Sequence, residues 1–542
     1  MIKNGINVPK GSVLQTQVCI VGTGPAGITL AYHLQKAGID VILLEGCRSS
    51  SSNDQESWAD KVLLYNGEAT GLFAKNEPEF LIRPYDFSQG PKERERTYGG
   101  TSTHWGGQSR PYDPVDLGET SPAYPGWPIT REDLDPFYAE ASSFCNLHGD
   151  YKSNGSNFDA DYWAQVLNAS VPKLEGFDTE MYQFFGPDFL NFATRTFEDN
   201  KTIGDLVQVI VNATLLNINH DNGVVNGLTI GSMEGAPSNP PTYNGHSFTI
   251  KADAYVMAMG AVANARQLLL AKVPNDNIGK YFMCHPVIAN YLSGVTPINV
   301  SVNYLTTSEQ NLMSGNTSNG DQWTDSNGVT VQGRFIPDAE TTKNLKIGRC
   351  WFWGGSGGHG FYFEQALNPN SYITLSDKVD KVFGQQEVRI NWDLSEDDEN
   401  SYNQVTALFQ AAVKKINPKV VVTCVPWEQL KGGAVVNGHH LGTTRMSNTA
   451  ADGVVNPDLR SHDLNNLYIA GSSVWPSAGI SNPTFTIITL SIRLADHLTR
   501  TFSKETGKTP SVKQKSKGGL LKSIVQFILG ILQKVFQPFR RR

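Results

Sequence analysis

The sequence predicts an α/β protein in which a parallel sheet comes first and an antiparallel sheet later. Three observations carry this. A wholly apolar run, Val18 to Val21, leads into three glycines, a helical stretch to about Lys36 and a second apolar run, Val41 to Leu44. Alternating apolar stretches fill "LVQVIVNATLLNINHDNGVVNGLTI", broken by a hairpin signal at Asp221 to Gly223. Strand-like runs such as "SYITLS" and "EVRINW" appear between residues 286 and 430.

The first unit is the most readable. Four consecutive buried-type residues are what a parallel strand covered on both faces requires. Gly22, Gly24 and Gly27 follow in G-x-G-x-x-G spacing, and Gly38 can stop the helix. Gly22 permits the tight turn, Gly24 lets a pyrophosphate approach the backbone, and Gly27 lets helix and strand pack closely. The helix N-terminus attracts phosphates. Glu45 ends the second strand, where a carboxylate can hold ribose hydroxyls. The unit is a dinucleotide site of the Rossmann type, and these residues alone do not separate FAD from NAD.

Composition excludes several classes. The 542 residues suggest more than one domain, and 39% hydrophobic against 18% charged content fits a globular chain with a substantial core. The net charge of −7 offers no nucleic-acid footprint. Charge is uneven: from Phe502 on there are ten Lys or Arg and one acid, so +9 sits there and −16 on the rest. None of the six cysteines forms a C-x-x-C pair or a zinc spacing with histidine. The first residues lack the apolar stretch of a signal peptide, and we expect a reducing cytoplasm.

Four further segments narrow the reading: "RTYGGTSTHWGG" (96–107), "AYVMAMGAVANARQLLL" (254–270), "NGHHLGTTRM" (437–446) and "NNLYIAGSSVWPSAGISNPTFTIITLSIRLADHL" (465–498). With the glycine unit, their order resembles that of the glucose–methanol–choline (GMC) family of FAD oxidoreductases, over about residues 15 to 500. "GGTSTHW" and "HHLGTTRM…NPTFT" are most similar to its pyranose oxidase and bacterial sugar dehydrogenase branch.

The resemblance implies a Rossmann-like FAD-binding domain on a parallel sheet, discontinuous in sequence. Its parts would be 15–120, 200–285 and 432–501. A lid or connecting region over 121–199, partly in the substrate domain, would separate the first two. The substrate domain, 286–431, would be an antiparallel sheet with helices. One of these, in "LSEDDENSYNQVTALFQAAVKKI", is acidic at its start and basic at its end, as the helix dipole favours.

The resemblance also implies the chemistry: oxidation of an alcohol CH–OH group by hydride transfer to flavin N5, with His439 as general base and Asn482 as its partner. Imidazole, with an ordinary pKa of about 6.5, suits a proton acceptor near neutrality. Asn cannot be a base, but its amide can donate to the same oxygen and orient it. His440 reads as a packing or backbone-bonding residue, since on an extended segment it points to the opposite face. Arg96, Gly99, Gly100, Thr101 and Ser102 would contact FAD, as would Gly471 and Ser472. Pro483 and Thr484 would open the last helix at the flavin. His104 either bonds covalently to the flavin 8α-methyl or packs on the ring. The resemblance allows both, with Gly106 standing where the covalent branch has Thr. No metal site is expected.

The substrate side is open at this stage. Gln365 sits near a substrate-loop Gln of the sugar oxidases, and the aromatic run "CWFWGGSGGHGFYFEQ" suits either ring stacking or core. A sugar, polyol or glycoside is the first choice, and an apolar or sterol-like alcohol at a membrane surface the alternative. Oxygen, a quinone or a cytochrome fits as electron acceptor. A basic linker (502–519) would lead to an amphipathic basic tail (520–542), suited to lying on a membrane. A flavoprotein adaptor without catalysis and an NAD-dependent dehydrogenase are the competing classes.

Overall fold

The apolar run at Val18–Val21 forms the buried end of a longer strand, Val13–Val21, in the computed structural model. The structure describes residues 2–47, 98–103, 105–152, 155–185, 206–235, 242–288, 297–301, 303–353, 360–380, 382–433, 435–436 and 438–506. Arg96, His104 and the tail from residue 507 on lie outside the described residues.

The strand Val13–Val21 pairs in parallel with Val41–Leu44 on one side and Ser247–Met257 on the other. Val207–Val211 adds beyond Val41–Leu44, and Ile2–Asn4 beyond that, both parallel. Leu467–Ile469 pairs with the end of Ser247–Met257. This sheet therefore starts at Ile2, ahead of the expected boundary at residue 15. The short run "IKN" alternates too briefly to announce a strand. An antiparallel arm, Thr214–Asp221 and Val224–Gly231, extends from the same sheet. Its turn has positive φ at Asn222 and Gly223, as the two-residue hairpin turn requires. The helix Pro25–Lys36 covers one face and packs on the last described helix, Pro483–Thr506. That helix takes in residues 502–506, which the sequence reading gave to a linker.

The second sheet is antiparallel, in the order Val435–Val436, Pro286–Ile288, Gly360–Phe363, Cys350–Trp353, Thr330–Pro337, Phe177–Phe184 and Gln108–Ser109. Phe177–Phe184 pairs with Thr330–Pro337 along its whole length, so the expected connecting region supplies an inner strand. Alternation divides the sheet into two faces. Phe335, Cys350, Phe352, Phe361 and Phe363 point into one core, beneath Glu396–Ile416, whose Tyr402 and Phe409 they share. Tyr182, Ile336, Trp351 and Tyr362 form a separate cluster on the other face. Helix Glu396–Ile416 begins with a reciprocal Ser395–Asp398 cap and ends on Lys414 and Lys415. "SYITLS" and "EVRINW" pair with each other as a separate two-stranded sheet, outside the larger one.

Candidate active site

A cavity of about 730 Å³ lies where the two sheets meet. Its first wall is the glycine turn. Gly22 has φ +110°, and Gly24 caps the helix in extended conformation. A Cβ built at Gly24 meets nothing within 4 Å, so the backbone there is bare to the cavity. The same holds at Gly260 and Gly471, both lining residues with positive φ. Gly27 does not line the cavity. A Cβ there would stand 1.9 Å from Gly22 O, so this glycine lets the helix close on the turn.

Glu45 ends the Val41–Leu44 strand and lines the cavity. Its Oε2 accepts from Thr23 Oγ1 at 2.5 Å and from Thr23 N at 3.3 Å; its Oε1 accepts from Cys47 N. Thr23 Oγ1 in turn accepts from Gly99 N at 3.1 Å, and Ser102 Oγ donates to Gly99 O. Gly99 is thus a link between the first turn and the next one, while Gly100, Thr101 and Ser102 reach the cavity. Ser472 Oγ donates to His440 O at 2.7 Å. Gly471, Ser472, Asn482, Pro483 and Thr484 complete this part of the lining. The buried Oδ1 of Asn482 has no partner among the described residues. Bare backbone at a helix N-terminus, a carboxylate at the end of the neighbouring strand and an orphan amide oxygen fit FAD.

The end of the cavity that carries His439 is built by the antiparallel sheet. Pro286–Ile288 pairs with Val435–Val436, and Met283 bridges Leu441. His285 and His439 therefore sit on adjacent segments, with their Nδ1 atoms 3.2 Å apart. Tyr362 Oη lies 2.7 Å from the same Nδ1 of His439. Burial, with His285 and His440 beside it, holds His439 well below the usual 6.5. Burial likewise pushes His285 down to about 4. His440 also lines the cavity, its ring centroid 5.5 Å from that of Phe282, and bonds through its backbone carbonyl.

A stack runs across four segments behind this pair. Tyr362 lies on His285 at 4.9 Å and 21°, and on Trp351 at 4.4 Å and 17°. Arg334, one strand beyond Trp351, sits 4.9 Å over its ring. Tyr362 thus spends its ring on His285 and Trp351. The aromatic run suited to sugar stacking serves here as a support for His439 and His285.

Gln365 lies elsewhere. It is 1% exposed and does not line the cavity. Its Oε1 accepts from Cys284 N at 2.9 Å and Trp392 Nε1 at 2.6 Å, and its Nε2 donates to Asp393 O. Its hydrogen-bonding capacity is turned inward to protein groups, so it is a core brace and not a substrate contact. His285, Tyr362, Trp351, Gln332 and Arg334 are the residues that sequence reasoning missed. The alternation of "FYF" could have set Tyr362 apart from its neighbours, whereas nothing in "CHPV" marks His285. Among the described residues no cluster of His, Cys, Asp and Glu could hold a metal ion.

The comparisons with known proteins agree with this architecture. A family model for GMC oxidoreductases matches residues 368–491, and one for an FAD binding domain matches residues 15–59. The 2-methyl-1,2-propanediol dehydrogenase of Mycolicibacterium austroafricanum is 24% identical, over 90% of this chain and 96% of its own. The fructose dehydrogenase large subunit of Gluconobacter japonicus is 23% identical, over 89% and 97%. The crystal structure of a formate oxidase superposes with a TM-score of 0.56 at 14% identity, covering 92% of this chain and all of that one. At such identity the likeness speaks for the fold alone. The family match spans both His439 and Asn482, the dinucleotide match falls on the glycine turn, and these two relatives align over nearly their whole length: together they support an FAD oxidoreductase of the GMC family, with FAD as the cofactor.

Proposed function

We propose that this enzyme oxidises the CH–OH group of a small polar alcohol, a sugar, polyol or glycoside, with His439 as general base and Asn482 beside it. One observation carries the reading. His439 lines the cavity while its Nδ1 is engaged by Tyr362 and His285, which leaves Nε2 as the ring nitrogen for a substrate hydroxyl. A base depressed below 6.5 stays unprotonated at neutral pH, ready to accept that proton. Asn482 lines the same cavity and offers an amide to orient the hydroxyl oxygen. FAD, when bound, supplies the hydride acceptor. Relatives named for a propanediol and for fructose support a polar substrate.

The test is anaerobic bleaching of the flavin by a panel of sugars, polyols and apolar alcohols. Bleaching by polar members, lost in His439→Ala with FAD retained, supports the assignment. Bleaching of His439→Ala at the wild-type rate refutes the base. Bleaching by sterol-like alcohols alone moves the substrate to the apolar class. Acid precipitation of the holoenzyme reads the flavin linkage: colour in the pellet means covalent flavin, with His104 the leading attachment site, and colour in the supernatant a non-covalent cofactor.

The basic tail favours a second element of the proposal: a cytoplasmic enzyme lying on an anionic membrane surface, with oxygen, a quinone or a cytochrome as acceptor. No helix among the described residues is long and apolar enough to cross a membrane. Sedimentation with anionic vesicles, lost when residues 507–542 are removed, checks it.

A further inference from the structure

The ring of His285 is wholly buried. Its Nε2 lies 2.8 Å from Gly479 O and 3.2 Å from Ala478 O. Carbonyl oxygens only accept, so Nε2 carries the hydrogen. The peptide that joins Ala478 to Gly479 is itself fixed at both ends. Tyr112 Oη donates to Ala478 O at 2.5 Å, and Gly479 N donates to Glu364 Oε1 at 2.8 Å. Burial keeps the His285 ring neutral at ordinary pH. With its hydrogen committed at Nε2, its Nδ1 is a lone pair.

That lone pair faces His439 Nδ1 at 3.2 Å. Two lone pairs at this distance repel. A hydrogen on His439 Nδ1 turns the repulsion into an N–H···N bond. Tyr362 Oη, at the same nitrogen, can donate or accept and so does not choose between the tautomers by itself.

We propose that His285 is a positioning residue that sets the tautomer of His439, holding the hydrogen on Nδ1 so that a bare Nε2 meets the substrate. The proposal rests on His439 being the base. In the reaction the hydroxyl O–H bond breaks and its proton goes to Nε2. The electron pair left on oxygen forms the carbonyl as the C–H pair leaves as hydride to the cofactor. The resulting imidazolium keeps its Nδ1–H directed at His285, and neither ring has to turn.

Three substitutions separate the acceptor from the anchor. His285→Asn keeps an acceptor near the Nδ1 position, His285→Gln keeps a donor near the Nε2 position, and His285→Leu keeps neither. Flavin reduction is followed by stopped flow in FAD-loaded protein, with 2-methyl-1,2-propanediol, fructose and glucose as probes. The expected limiting rate falls about 100-fold in the Gln and Leu variants and less than about tenfold in the Asn variant, with KM little changed. Long-range proton–nitrogen NMR of histidine-labelled wild-type holoenzyme reads the tautomer directly, with His439→Ala identifying the signals. Hydrogen on Nδ1 is expected. Hydrogen on Nε2 in the resting enzyme, or a Gln variant as fast as the Asn variant, overturns the proposal. If no probe reduces the flavin, the substrate reading is what fails for these alcohols, and the NMR result still decides the tautomer.

Discussion

A Cβ on Gly27 would stand 1.9 Å from the carbonyl oxygen of Gly22. Two backbone segments meet there, so no side-chain adjustment relieves the clash. Gly27→Ala is expected to displace the helix that faces the cofactor phosphates and to destabilise the fold by at least about 1–3 kcal/mol. The FAD-to-protein ratio after gel filtration checks it. A variant that retains a full complement of flavin contradicts the packing role.

Glu45 holds its place through Thr23 and Cys47 and turns to the cavity. Glu45→Gln keeps the shape and removes the charge. Hydrogen bonds to charged groups contribute about 1.5–3 kcal/mol, so FAD affinity should drop tenfold or more. Fluorescence titration of the apoprotein measures it.

Tyr362→Phe removes the 2.7 Å bond to His439 and leaves the ring stack in place. The limiting rate of flavin reduction should fall about tenfold, as loss of one neutral hydrogen bond implies. Equal rates in single-turnover measurements would show that the hydroxyl does not support the base.

The pH dependence follows from burial. His439 titrates well below 6.5, so kcat/KM should stay level as pH falls through 6.5 and drop only further down. His285, pushed down to about 4, also makes stability depend on pH. The unfolded chain takes up this proton near 6.5, ahead of the folded one. The contribution is therefore complete above 6.5 and is lost as pH falls from 6.5 towards 4. Relative to His285→Asn, the wild type should lose about 2 kcal/mol between about pH 7.5 and pH 5, read from urea midpoints. A gap that does not change with pH would remove the linkage.

Gln365→Leu tests the other side of the site. The substitution strands the Cys284 amide and the Trp392 indole N–H. A loss of stability of about 2–5 kcal/mol is expected, with KM for any substrate unaltered. A raised KM in a stable variant would return Gln365 to the substrate.

The parts of this structure that local physics determines could be read from the chain. Val18–Val21, the glycine turn and Val41–Leu44 are set by neighbours in sequence, and the Asn222-Gly223 turn by its own backbone preferences. The helix starting at Glu396 announces itself through its cap and terminal charges. The support of His439 is a different matter. His285 acts through residues far along the chain, Gly479 and His439, and no local pattern marks it. Gln365 shows the converse failure. It stands beside the site's residues in sequence, but three hydrogen bonds turn it into the core.

The parallel sheet draws its strands from residue 2 at one extreme and residue 469 at the other. Pro483 and Thr484, which close the cavity, come later still. A nascent chain on the ribosome therefore cannot complete this pocket until nearly all of the described residues have emerged. Cofactor loading is in effect a readout of translation: shortened products that end before Leu467 should accumulate as colourless apoprotein. A chain that retains its yellow colour has also made the segment bearing His439.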